Sequence, residues 1–265
     1  MRVAAIQMIS TTSPELNCRA AERLIAQAAE QGAECILLPE YWPLMGRKDE
    51  DKLTIAEKAG DGALQEWMAA RAAQHGIWLV GGTISLISSE PGKVFNTTLV
   101  YGPDGRQQSR YDKIHLFGFQ REQESYEESR TITAGSQPVT FNAAGLHIGL
   151  SICYDVRFPE LYRSMGNCDL LMVPAAFTYT TGQAHWEILL RTRAIENQCF
   201  VLACGQGGLH ENGRRTWGHS MLIDPWGKII DVLPEGEGIV TGNIDTTQIA
   251  EIRTSLPALA HRRLR

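Results

Sequence analysis

The sequence predicts an α/β layered protein. Two observations carry this. Short apolar runs alternate with helix-like segments in the order β-α-β-α-β-β through the first half of the chain, and the same order recurs, more loosely, in the second half. A helical bundle or an all-β sandwich would show neither alternation.

In chain order, residues 3–8 read as a strand. Ser13 is an N-cap with Pro14 at the first helical position, and the helix runs to about Gln31, where Gly32 stops it. Residues 35–38 are a short apolar strand ended by Pro39-Glu40. A second helix fits 62–75, stopped by Gly76. Residues 77–87 are a strand broken at Gly81-Gly82, and 94–101 another, with Gly102-Pro103-Asp104-Gly105 as a turn between two strands. Residues 117–135 are polar and aperiodic, a length that suggests a functional loop. Beyond it, 146–152 is a strand, 159–165 a short helix, 169–173 a strand ended by Pro174, 182–198 a helix and 199–204 a strand. Residues 218–224 and 228–233 are strands around the turn Pro225-Trp226-Gly227, and 238–244 is the last. The repeated order suggests an internally duplicated sandwich. With no linker or low-complexity segment, one domain over 1–265 is favoured.

Composition narrows the function. A chain of 265 residues, 43% hydrophobic, easily builds a core. A net charge of −5 gives no electrostatic reason to expect nucleic acid or an anionic membrane as partner. No apolar run approaches the roughly 20 residues of a membrane span, and the start of the chain enters a strand without a signal-peptide pattern, so a cytoplasmic protein is expected. The six cysteines show neither CxxC nor zinc-ligand spacing, which reads as free thiols in a reducing compartment and no metal site.

Three reactive residues stand just beyond apolar runs: Glu40, Lys113 and Cys153. In layered α/β proteins ligands bind beyond the carboxyl ends of strands, so the three can meet in one crevice. The helix start near Pro159 is expected to favour the Cys153 thiolate. A carboxylate, an ammonium and a thiol in one pocket suit hydrolysis of a carbon–nitrogen bond. Glu40 takes the thiol proton and the thiolate attacks. Lys113 and a backbone N–H, that of Tyr154, stabilise the developing oxyanion. No histidine is needed; His115, His185 and His219 read as structural.

The blocks Leu37-Leu38-Pro39-Glu40, Tyr111-Asp112-Lys113-Ile114-His115-Leu116-Phe117 and Ile152-Cys153-Tyr154-Asp155-Val156-Arg157-Phe158-Pro159-Glu160 resemble, in order, the three signature blocks of the nitrilase, or carbon–nitrogen hydrolase, superfamily. The resemblance implies a four-layer α-β-β-α sandwich, a Glu-Lys-Cys triad at Glu40, Lys113 and Cys153, helix-to-helix homodimers or larger homo-oligomers, and no metal or organic cofactor. Glu128, in Glu128-Ser129-Arg130-Thr131, matches an auxiliary glutamate that hydrogen-bonds the lysine; Glu127 beside it fits the pattern less well.

The segments Thr181-Gly182-Gln183-Ala184-His185-Trp186-Glu187, Arg193-Ala194-Ile195-Glu196-Asn197-Gln198 and Gly218-His219-Ser220-Met221 resemble the Nit branch, which contains deaminated glutathione amidases and ω-amidases, both acting on amides of 2-oxo acids. Gly205-Gln206-Gly207-Gly208-Leu209-His210 is closer to the former. The loop Gly118-Phe119-Gln120-Arg121-Glu122-Gln123 departs from both. The expected reaction is therefore hydrolysis of a small linear amide by water, with deaminated glutathione as substrate. An ω-amidase, carbamoylase or nitrilase is the alternative, and a catalytically silent binding protein on this fold a remoter one. Arg157 and Glu160 read as an ion pair bracing the turn after Cys153; Arg157 is also the arginine a substrate carboxylate could meet.

Overall fold

The computed structural model describes residues 1–121 and 124–264; Glu122 and Gln123, in the loop that departs from the family pattern, lie outside them. The first half contains β1 (Arg2–Gln7), α1 (Pro14–Glu30), β2 (Cys35–Leu37), α2 (Ala63–His75), β3 (Trp78–Val80), β4 (Ile84–Ile87), β5 (Val94–Tyr101) and β6 (Gln107–Asp112). A hairpin follows, β7 (Gly118–Arg121) and β8 (Glu124–Glu127). The second half contains β9 (Val139–Ala143), β10 (Leu146–Leu150), α3 (Pro159–Ser164), β11 (Leu170–Ala175), α4 (Tyr179–Asn197), β12 (Phe200–Gly205), β13 (Ser220–Ile223), β14 (Ile229–Leu233), β15 (Gly238–Asn243) and α5 (Thr246–Ser255).

Two sheets result, β15-β1-β2-β3-β5-β4 with β6 on β5, and β14-β13-β12-β11-β10-β9. Each has three parallel strands, β1-β2-β3 and β10-β11-β12, flanked by antiparallel neighbours, so the repeated order read from the sequence becomes a repeated topology. Side-chain alternation along β1 sets the layers. Val3 and Ala5 face the second sheet and share a core with Ile148 and Leu202. Ala4 and Ile6 face outward onto Leu24, Ile25 and Ala28 of α1. On the far side Trp186, Leu190 and Ala194 of α4 complete the α-β-β-α sandwich.

Local chemistry explains the boundaries. Ser13 Oγ accepts from Leu16 N, and Pro14 opens α1, as the sequence indicated. The expected break at Gly81-Gly82 separates β3 from β4. Gly82 has φ +51°, and a Cβ there would lie 2.1 Å from the Pro39 carbonyl oxygen, so only glycine lets this turn rest on the chain before Glu40. Helix α4 begins three residues before the expected Gly182, because Thr178 caps it, its hydroxyl accepting from Thr181 N. Gly182 is there for packing: a Cβ would meet Trp217 at 2.3 Å. Strand β9 and helix α5 were not expected. The segment read as a loop over 117–135 contains the β7–β8 hairpin and a short 3₁₀ turn, Glu128–Arg130.

Candidate active site

The topology puts the reactive residues at one edge. Glu40 follows β2 and Cys153 follows β10. Strand β6 is antiparallel to β5, itself antiparallel to β3, so Lys113 after β6 also lies beyond a carboxyl end pointing the same way as β2. Lys113 Nζ donates to Glu40 Oε1 at 2.9 Å and to Glu128 Oε1 and Oε2 at 2.9 and 2.8 Å. The lysine is fully buried and Glu40 is 1% exposed. Asn96 Nδ2 donates to Glu40 Oε1 at 2.9 Å, and Ala176 N, just beyond β11, donates to Glu40 Oε2 at 2.8 Å. Glu40 therefore touches both sheets. Glu128 is held by Phe117 N at 2.7 Å and by the Tyr41 hydroxyl at 2.9 Å. All four predicted side chains come together, and Glu128, not Glu127, contacts the lysine; Glu127 is exposed and accepts from the Ser129 hydroxyl.

Cys153 has φ +49°, a left-handed conformation unusual for a residue with a side chain. Asp155 holds this turn. It is fully buried, and its carboxylate accepts from Ile152 N at 2.8 Å, the Tyr111 hydroxyl at 2.7 Å, His115 N at 3.0 Å and His115 Nδ1 at 2.7 Å. The His115 ring stacks on Phe158 with centroids 3.7 Å apart.

The electrostatics follow from burial and charge. Burial favours a neutral Lys113, but Glu128 and Glu40 outweigh it and hold the ammonium well above its ordinary pKa. Burial would raise the Glu128 carboxyl; Lys113 and Phe117 N outweigh it and hold it low. For Cys153 burial pushes the thiol well up, Glu40 pushes it further, and Lys113 offsets only part. The sequence-based expectation of a helix-stabilised thiolate is therefore corrected: burial first, then the carboxylates of Glu40 and Glu128, push the Cys153 pKa up and favour the thiol. The expected Arg157–Glu160 ion pair is also absent among the described residues. Arg157 Nη2 instead meets His185 Nδ1 at 3.2 Å, and its guanidinium lies over the rings of Tyr154 and Phe177 at 5.7 and 5.5 Å.

A buried acid, a buried amine and a thiol at the floor of one cleft can pass a proton and form a thioester. The carbon–nitrogen hydrolase family profile matches residues 2–254. The chain belongs to that family. This carbon–nitrogen hydrolase acts on bonds other than peptide bonds. It is 40% identical to the deaminated glutathione amidase of Synechocystis sp., covering 98% of this chain and 97% of that one. It is 37% identical to the human omega-amidase NIT2, covering 99% and 95%. Among solved structures, a CN-hydrolase superfamily protein of Xanthomonas campestris with an arsenic adduct in its active site superposes with a TM-score of 0.89 at 30% identity, covering 100% of this chain and 98% of that one.

Cys153, Glu40 and Glu128 line the cleft of this hydrolase. Tyr41, Phe117, Tyr126, Tyr154 and Phe177 give it aromatic walls. Phe117 packs on Phe119, Tyr126 and Tyr154 at centroid distances of 6.0, 5.6 and 5.2 Å, which seats the β7–β8 hairpin over the nucleophile turn. Among the described residues no cluster of three His, Cys, Asp or Glu could hold a metal ion, and no helix is long and apolar enough to cross a membrane. Sequence reasoning missed Tyr41, Asn96, Tyr111 and the N–H of Ala176, and gave Asp155 no role. Only Tyr111 and Asp155 carried a signal, as polar residues inside the signature blocks.

Proposed function

We propose that this hydrolase is a cytoplasmic thiol amidase, one catalytic domain over residues 1–265, whose substrate is deaminated glutathione. The observation that carries the chemistry is the buried Glu40–Lys113–Glu128 cluster in one cleft with Cys153. The Cys153 proton passes to Glu40 as sulfur attacks the amide carbon. Lys113 and the Tyr154 backbone N–H meet the oxyanion. The carbon–nitrogen bond breaks, Glu40 returns the proton to the departing nitrogen, and a thioester remains on Cys153. Glu40 then takes a proton from water; the hydroxide attacks, the carbon–sulfur bond breaks, and Glu40 reprotonates the sulfur. Glu128 fixes the lysine and orients the amide.

The substrate reading is supported by the 40% identity over nearly full length with a deaminated glutathione amidase. Arg157, lying over two cleft rings, suits the carboxylate of a 2-oxo acid. Similarity to omega-amidase favours a second reading, a simple 2-oxo-acid amide that releases ammonia. Exposed Ile188 and Ile195 on the outer face of α4 suit a homodimer.

Mass spectrometry of the protein mixed with deaminated glutathione tests the reading. The expected result is the 2-oxo-acyl mass on Cys153, absent in Cys153→Ala. Full amidase activity in Cys153→Ala would overturn it.

A further inference from the structure

The cations around the cleft are not equally satisfied. Lys113 has two carboxylates. Arg214 Nη2 pairs with Asp49 Oδ1 at 2.6 Å and Arg215 Nη2 with Glu235 Oε1 at 3.0 Å. Lys52 lines the same cleft and is half-buried, yet among the described residues it forms no ion pair. Its Nζ donates to Thr131 Oγ1 at 3.2 Å and lies 5.4 Å from the centroid of the Tyr41 ring. A half-buried ammonium whose other donors lack a carboxylate is a costly arrangement unless something anionic arrives. Burial pulls the Lys52 pKa below that of an ordinary lysine, although Glu128 and Asp49 oppose the shift.

Lys52 is also fixed. It sits on the short 3₁₀ helix Asp49–Leu53, whose first turn is pinned by Arg214 on Asp49 and by Asp51 Oδ2 accepting from Arg47 N and Lys48 N at 2.8 and 3.1 Å. Asn212 Nδ2 ties the preceding chain down through Gly46 O at 2.6 Å. In the proposed mechanism the leaving nitrogen must reach Glu40 to take its proton, and Tyr41 ties that part of the cleft to Lys52. Tyr41, beneath Lys52, directly follows Glu40, the proton donor to that nitrogen, and hydrogen-bonds Glu128. Arg157 lies apart from it, over the rings of Tyr154 and Phe177. Glu127, the remaining acid of the cleft, is solvated at the exposed rim.

We propose that Lys52 binds the carboxylate of the amine half of the substrate, so that the enzyme selects amides whose leaving group is an anionic amino acid or dipeptide over those that release ammonia. This rests on the amidase reading above and deepens it. In deaminated glutathione the amine half is cysteinylglycine, which ends in a carboxylate.

Steady-state kinetics of the wild type, Lys52→Met and Lys52→Arg test it on two amides with the same 2-oxo-acyl group, one releasing ammonia and one cysteinylglycine. Loss of one charge-assisted contact should lower kcat/KM of Lys52→Met by about 10- to 100-fold on the second amide and leave the first within about threefold. Lys52→Arg should recover most of the loss. Equal losses on both amides, or none on the dipeptide amide, would overturn the proposal. Should the wild type hydrolyse neither, the 2-oxo-acid reading fails by itself. Butyramide and N-butyrylglycine then put the same question to Lys52, and absence of a Lys52-dependent preference for the second sinks the proposal too.

Discussion

The Tyr111 hydroxyl donates to Asp155 Oδ2 at 2.7 Å inside the core, joining the strand that leads into Lys113 to the turn that carries Cys153. The ammonium and the sulfur are thus positioned by one buried carboxylate that takes no part in the chemistry.

Breaking that contact should therefore cost activity as well as stability. Tyr111→Phe removes a hydrogen bond to a charged group and should destabilise the fold by about 1.5–3 kcal/mol in urea unfolding. If Asp155 only supports the core, kcat should be unchanged under conditions where the variant is fully folded. If it positions the turn, kcat should fall while KM stays near the wild-type value. The second outcome is expected.

Glu40→Gln should separate two reactivities of one sulfur. Burial is the first cause of the raised Cys153 pKa and Glu40 the second. Removing the carboxylate lowers the pKa, so more thiolate forms at a given alkaline pH. Alkylation of Cys153 by iodoacetamide, followed by peptide mass spectrometry, should then begin at lower pH than in the wild type. Amidase turnover should drop at least about 100-fold, because the proton has no acceptor.

Glu128→Gln should weaken the enzyme without silencing it. The amide keeps a hydrogen-bond acceptor for Lys113 Nζ but loses the charge that, with Glu40, keeps the lysine protonated. The variant should lose about 10- to 1000-fold in kcat, and its activity should decline at lower alkaline pH than the wild type's, as the Lys113 pKa comes down. A pH–rate profile checks this.

Gly82→Ala should be among the most damaging substitutions away from the reactive groups. Its Cβ would enter the Pro39 carbonyl at a left-handed backbone position. A loss of about 2 kcal/mol or more in thermal or urea unfolding is expected.

If α4 forms the dimer face, Ile188→Glu should shift the sedimentation coefficient to that of a monomer. Ile188 is 68% exposed in the isolated chain, so the change should leave the monomer's own stability within about 0.5 kcal/mol.

Much of this was legible in the sequence where the information is local. Glu40, Lys113 and Cys153 each sit in a compact block at a strand end, and Ser13-Pro14 announces α1 with its own side chains. Glu128 was legible through its neighbours. The contacts between Glu40 and Ala176, or Tyr41 and Glu128, join segments whose sequences carry no trace of one another. The pKa direction of Cys153 depends on such contacts, which is why a helix start pointed the wrong way. Strand β9 alternates Val139, Thr140, Phe141, Asn142, Ala143 before a turn, and Asp245 caps α5, its side chain accepting from Thr247 N. Both signals are local and readable. The β7–β8 hairpin is different: among the described residues its strands pair only with each other, and Phe117 anchors them through rings, so no apolar period marks them.

The grip of Glu40 on Ala176 makes catalysis a gauge of how the two sheets sit against each other. A slight slip between them would turn the carboxylate away from the sulfur while leaving every helix and ladder intact. On heating, turnover should fade before circular dichroism registers any melting, and ligands that fill the cleft should delay the fading more than the melting.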